Sequence, residues 1–323
     1  MTTIDEQLIK YLADAHSIEE QALVQMKLAP KMAGNPQIAG DFKNHLAETE
    51  RHERRVRTAL EARNAAPSAI KDVVMQAGGV GFALFARVQP DTPGKLAAHA
   101  YSYEHLELAS YELLHRVAQR AGAEEVAAMA AEIREEERAM GERLAADFDL
   151  AAEASLRDKG AEKITGDVLK YLEDAHAIEA QAIQLLERAP KLAGAPELEA
   201  AYREHLDETR EQQRQVEQRL QALGGSPSRL KDAAMRLGAL NWGTFFQAHP
   251  DTPGKLAAFA YAFEHLEIGG YELLVRVATR AGDDETVRVA NTILGQERAA
   301  ATKIASLWDV AADASLRETA AAV

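Results

Sequence analysis

Between residues 126 and 144 the apolar positions are Val126, Ala130, Ile133, Met140 and Leu144, stepping by fours and threes around a central Glu137. That spacing places one stripe along a helix facing a core. Residues 8–26 repeat the pattern with Leu8, Leu12, Ala15, Ala22 and Met26, interrupted once by Glu19. A third series, Leu96, Ala100, Tyr103 and Leu114, carries Glu104 and Glu107 on the same face. The fourth runs Phe42, His45, Thr49, His52 and Val56, with Glu48 one turn from each histidine. Four long helices are predicted, each with acid or imidazole near its middle. Thr3 with Glu6 forms a capping-box pattern, and Asn35 then Pro36 mark a second helix start. Thr92 and Pro93 open the third helix, and Gly122 closes it. No sustained alternation of apolar and polar residues predicts a strand.

The whole arrangement occurs twice. YLADAHSIEEQA at 11–22 returns as YLEDAHAIEAQA at 171–182, and the stretch from residue 89 to 122 returns at 249–282. A constant offset over complete sets of helices means each copy is a domain rather than a solenoid unit. The expected organisation is all-α: two tandem four-helix bundles at 1–150 and 164–312, joined by a linker at 151–163. Each bundle has an apolar helical connector between its second and third long helices, Ser68 to Pro90 in the first copy. Phe82 and Phe85, with Trp242, Phe245 and Phe246 in the second copy, are candidates for contact between the copies. A fused pair of this kind is expected to form an internal pseudo-dimer, with a further homo-oligomer open.

A carboxylate inside a bundle is costly unless it is paired or neutralised. Here all four helices aim acids or imidazoles at one level, which a pair of metal ions would resolve by replacing the lost hydration. Ferritin-like dimetal sites take a Glu from each of two helices and Glu-x-x-His from the other two. The corresponding ligand candidates are Glu19, Glu48, His52, Glu104, Glu107 and Glu137. His52 follows Glu48 by four residues rather than three, and Met140 stands where Glu137-x-x-His would place a histidine. In the second copy Glu179, Glu208, Glu264, Glu267 and Glu297 persist, whereas His52 becomes Gln212 and Glu136 becomes Gln296. A neutral amide ligates iron poorly, so the second site reads as the weaker one. His45 and His205 read as groups that orient a carboxylate. Tyr103 and Tyr111 read as core residues near the site, able to donate hydrogen bonds.

HLAETERH at 45–52, YEHLELASYE at 103–112 and EIREEE at 132–137 together resemble the bacterial YciE/YciF ferritin-like family. The resemblance spans nearly all of each copy. It implies a ferritin-like bundle that dimerises, a stress-associated role and a dimetal site. The glutamates named above carry over as its ligands, two Fe ions (or Mn) per occupied bundle.

The net charge of −14, with 37 basic and 51 acidic residues, disfavours a nucleic-acid partner. RHERRVR at 51–57 reads as a solvated helix face paired to nearby glutamates. With no cysteine, thiolate–zinc and iron–sulfur chemistry are excluded. No apolar run suits a membrane span, and MTTIDEQLIKYL lacks a signal-peptide layout, so a soluble cytoplasmic protein is expected. The expected activity is oxidation of Fe(II), or consumption of O2 or peroxide, at a di-iron site. A dimanganese catalase-like site, a structural metal clip and a non-enzymatic helical interaction module are the alternatives.

Overall fold

The computed structural model describes residues 3–67, 92–157, 159–228 and 252–321. Among them the regular structure is helical throughout, with ten α-helices and two short 3-10 turns. The chain forms two compact units, Met1–Ser155 and Leu156–Val323. The connector from Ser68 to Pro90, its counterpart in the second copy and the five aromatic residues named on them lie outside the described residues.

In the first unit α1 (Ile4–Leu28) is followed by a 3-10 turn and α2 (Pro36–Glu61). Then come α3 (Thr92–Arg120), α4 (Glu124–Ala146) and a short α5 (Phe148–Leu156). The capping box forms as its residues imply: the Glu6 amide donates to Thr3 Oγ1 at 3.2 Å, and the Thr3 amide donates to the Glu6 carboxylate at 2.7 Å. Asn35 Oδ1 accepts from the Gln37 amide at 2.8 Å ahead of Pro36. Gly122 adopts a left-handed φ of 68° where α3 ends, and the Ala123 amide reaches back to the Ala118 carbonyl. Packing follows the stripes. Helix α1 lies on α2 and α3, α3 lies on α4, and α4 lies on α2. On α4, Val126, Ala130, Ile133, Met140 and Leu144 are all at most 2% exposed.

Residues 148–156, mostly assigned to the linker on sequence grounds, form α5 instead, and all of it up to Ser155 belongs to the first unit. Phe148, Ala151, Ala152 and Ser155 stand at helical spacing, and all four are buried. Phe148 meets Tyr101 edge to face at 5.4 Å, and Ser155 Oγ accepts the Gly94 amide at 2.8 Å, which ties the start of α3. Beyond Phe148 the buried positions are alanine and serine, which carry little hydrophobic signal.

The second unit repeats this plan with α6 (Ala161–Leu186), α7 (Pro196–Ala222), α8 (Thr252–Ala281), α9 (Asp284–Ala305) and α10 (Trp308–Ala321). Its closing helix therefore extends past the boundary at 312. Trp308 takes the role of Phe148 against Tyr261, and Ser315 Oγ accepts from the Gly254 amide at 2.7 Å. None of the helices among the described residues is long and apolar enough to cross a membrane.

The position of α5 has a measurable consequence. Phe148→Ala should lower the unfolding free energy of the first unit by about 3–5 kcal/mol. A residue in an exposed linker would change it by no more than about 0.5 kcal/mol. Urea denaturation followed by circular dichroism separates the two.

Candidate metal centre

Each stripe places one or two ionisable residues at its middle, where the helices enclose them. Glu19 stands between Ala15 and Ala22 on α1, and Glu137 between Ile133 and Met140 on α4. Helix α3 contributes Glu104 and Glu107, and α2 contributes His45 and His52. All six side chains are at most 1% exposed.

Glu137 sits between the two histidines. His45 Nε2 lies 3.3 Å from its Oε2 and 3.0 Å from Glu104 Oε2. His52 Nδ1 lies 2.7 Å from Glu137 Oε1 and 3.8 Å from Glu19 Oε1. Donor atoms of His45, Glu104, Glu107 and Glu137 fall within 4.8 Å of one another, and those of Glu19, His52 and Glu137 do the same. Two ligand groups thus share one carboxylate, which turns a different oxygen to each.

The other nitrogen of each histidine is held from outside. His45 Nδ1 bonds Glu48 Oε2 at 2.9 Å, and Arg143 also binds that oxygen at 3.1 Å. His52 Nε2 bonds Glu136 Oε2 at 2.8 Å, where Arg51 also donates at 3.0 Å. A carboxylate fixed by arginine sets ring orientation and tautomer, as outer partners of metal-binding histidines do. The sequence-based roles of Glu48 and His45 are therefore exchanged in position: His45 faces the cluster, while Glu48 lies outside it with a side chain 25% exposed. Glu136 was not among the expected site residues. Its signal was present, since His52 and Glu136 change together between the copies. Tyr111 Oη donates to Glu19 Oε1 at 2.5 Å, whereas Tyr103 Oη donates to the Ile18 carbonyl.

The cluster is short of partners. Among the described residues, both carboxylate oxygens of Glu104 and Glu107 lack a hydrogen bond, as do Glu19 Oε2, Glu137 Oε2, His45 Nε2 and His52 Nδ1. The close approaches to the histidines are thus not aligned hydrogen bonds, and the unused lone pairs converge on a common space. Burial pushes Glu19 up to about 8 and Glu104 up to about 7, and carries Glu107 well above the carboxylate range. Burial disfavours a charged His52, but Glu137, Glu19 and Glu136 overcome this and raise it to about 9. Burial would also raise Glu137, yet the two imidazolium neighbours drive it down. Without a cation, protons must hold the group together. Carboxylate oxygens with imidazole nitrogens suit a first-row divalent ion, so the donor set fits a metal pair.

In the second unit His205, Glu264, Glu267 and Glu297 form the equivalent of the first ligand group. His205 Nε2 is 2.9 Å from Glu264 and 3.7 Å from Glu297. Glu179 accepts from Tyr271 at 2.5 Å. The second group is incomplete: Gln212 donates to Gln296 at 3.3 Å where His52 meets Glu136 in the first unit. Glu208 stays outside, 3.5 Å from His205 Nδ1. A further cluster in the first unit, His16, Glu20 and Glu53, has Glu53 already bonded to Arg57 at 2.7 Å.

These shifts fix a sign for stability against pH. The unfolded chain releases its glutamate protons above about pH 4.5, while folded Glu19 and Glu104 keep theirs to about 8 and 7. Folded His52 likewise holds its proton beyond the ordinary 6.5, to about 9. In this window the folded state binds more protons, so stability present near pH 5 is lost as pH rises. Protein stripped by chelator should melt at least about 5 °C lower at pH 8.5 than at pH 5.5, equivalent to about 2 kcal/mol. Added metal should remove most of that difference in calorimetry. A flat profile in chelator would mean the carboxylates hold no such protons.

No solved structure matches the chain. One family of domains matches it twice, over residues 3–155 and 168–317, leaving only short segments uncovered. The chain belongs to that family, described as a domain of unknown function (DUF892), and carries the domain in tandem.

Proposed function

We propose that each unit is a ferritin-like four-helix bundle, that the first holds a carboxylate-bridged pair of iron or manganese ions, and that the second holds one. The reading rests on one observation: among the described residues, Glu137 is shared by two buried ligand groups, whereas Glu297 belongs to one. It agrees with the resemblance of the acid-rich helices to the YciE/YciF family.

In the first unit Glu104 and Glu107 supply oxygen donors on the side of His45, and Glu19 supplies one on the side of His52. Glu137 spans the two positions. Glu48 with Arg143, and Glu136 with Arg51, hold the imidazoles so that one nitrogen of each stays directed inward. Tyr111 keeps a proton at Glu19 Oε1, beside the second group. Ile133 and Met140, both fully buried on either side of Glu137 along α4, limit water at this level. When bound, a pair of ferrous ions supplies the two electrons that convert peroxide and two protons to two waters. The function we assign is therefore Fe(II) oxidation coupled to consumption of O2 or peroxide, a role suited to oxidative defence.

Anaerobic Fe(II) titration followed by metal analysis should give three ions per chain. His52→Gln, which gives the first unit the glutamine of the second, should reduce this to two and stop peroxide-dependent Fe(II) oxidation. Glu137→Ala should leave one. The dinuclear assignment is overturned if His52→Gln changes neither stoichiometry nor rate. Absence of bound metal would leave a helical interaction module as the function.

A further inference from the structure

We propose that the second unit contains a cation port, a cleft between α7 and α9 through which a divalent ion reaches its site directly from solvent. This rests on the reading of His205, Glu264, Glu267 and Glu297 as metal ligands.

The cleft encloses about 230 Å³. At roughly 30 Å³ per water, that is room for a partly hydrated ion. Two of the four buried donors, His205 and Glu264, line it, together with Glu208 and the exposed Glu204 nearer the surface. Carboxylates therefore occur from the rim to the buried end. Glu208 has a side chain 42% exposed, so the cleft meets solvent there. Tyr202 also lines it, almost fully buried, with a hydroxyl that has no hydrogen-bond partner. A buried hydroxyl left without a partner marks a place for water or a ligand. Water carried on an entering cation would satisfy it.

Substitutions between the copies account for the opening. Ala300 replaces Met140, whose side chain is fully buried in the first unit. Lys303 replaces Arg143, which bridges to the same Glu48 oxygen that His45 Nδ1 bonds. Lys303 forms no such bridge to Glu208 among the described residues. Tyr202 replaces Phe42, and Glu204 replaces Asn44, adding a hydroxyl inside and a negative charge at the rim. The smaller side chain at 300, the hydroxyl at 202 and the charge at 204 favour a hydrated cation, while Lys303, which lines the cleft, keeps the positive charge of Arg143. The outcome is visible at the ligand itself: the His45 side chain is 0% exposed and that of His205 is 8%.

The probe is Co(II) alone, mixed anaerobically with the full-length protein and followed by its visible absorption, with bound metal counted at equilibrium. One ion should enter about tenfold faster than the rest, the scale on which an acidic cleft raises encounter rates. Ala300→Met should slow that fast phase severalfold without changing the final count. Met140→Ala should accelerate uptake by the first unit. Glu204→Gln, on the exposed rim and safe for folding, should slow the fast phase and weaken its dependence on salt. Three ions bound with one common rate, or a fast phase unaffected by both Ala300→Met and Glu204→Gln, would overturn the port while leaving the metal sites intact. No cobalt at equilibrium would remove the metal reading and the port with it.

Discussion

Four carboxylates and two imidazoles enclosed in the interior of the first unit are the constraint from which its other features follow. An isolated buried carboxylate costs several kcal/mol or takes a proton, and four of them repel one another as well. The fold keeps them in the charged or protonated state required by surrounding them with matched groups. Inside, each histidine is set against Glu137. Outside, Glu48 and Glu136 oppose the far nitrogens, and Arg143 and Arg51 oppose those carboxylates in turn. Charge alternates outward from the cluster to solvent. The cluster still keeps unused oxygens among the described residues, most clearly on Glu107, and a polar layer built only to fix packing is expected to satisfy such atoms.

The duplication supplies an internal comparison. Had His52 alone become glutamine, Glu136 would have lost its imidazole partner. Had Glu136 alone changed, the outer nitrogen of His52 would have lost its anchor. Removing one member of a part-buried pair costs more than removing both. The second unit differs at both positions, and Gln212 with Gln296 forms a hydrogen bond with no net charge. The other ligand group has all four members in both copies. Selective loss of a paired charge from one half of the cluster is understandable if each half is a separable unit with its own histidine, joined through Glu137.

Much of this was legible in the sequence because helical spacing is rigid. The four stripes, the caps at Thr3, Asn35 and Gly122, and the 160-residue offset all correspond to features of the folded chain. Glu48 and His45 show where reasoning from a ligand template misled. Stepping about 100° per residue, His45, Thr49, His52 and Val56 share one narrow face, and Glu48 lies about 70° from its centre. The stripe itself placed His45 inward; the template asked for a glutamate. Helix α5 is faint in the sequence for a different reason: after Phe148 its buried positions are alanine and serine, which carry little hydrophobic signal. The link between His52 and Glu136 lay beyond periodicity, since it joins residues 84 positions apart on two different helices.

Access and ligand number diverge together. The first unit has both ligand groups, a buried Met140 and an arginine bridge over His45. The second has one group, an alanine and a lysine at the corresponding positions. Chemistry that uses two ions with O2 or peroxide gains from a closed interior, because water and stray reductants are kept from the reacting centre and the local field of the charges is strengthened. A single ion held by one histidine and three carboxylates has no such need and exchanges more freely when open. On the proposed function, enclosure and the shared carboxylate belong to one requirement. The histidine, its outer carboxylate, the arginine bound to Glu48 and the buried methionine accordingly differ between the copies as a set.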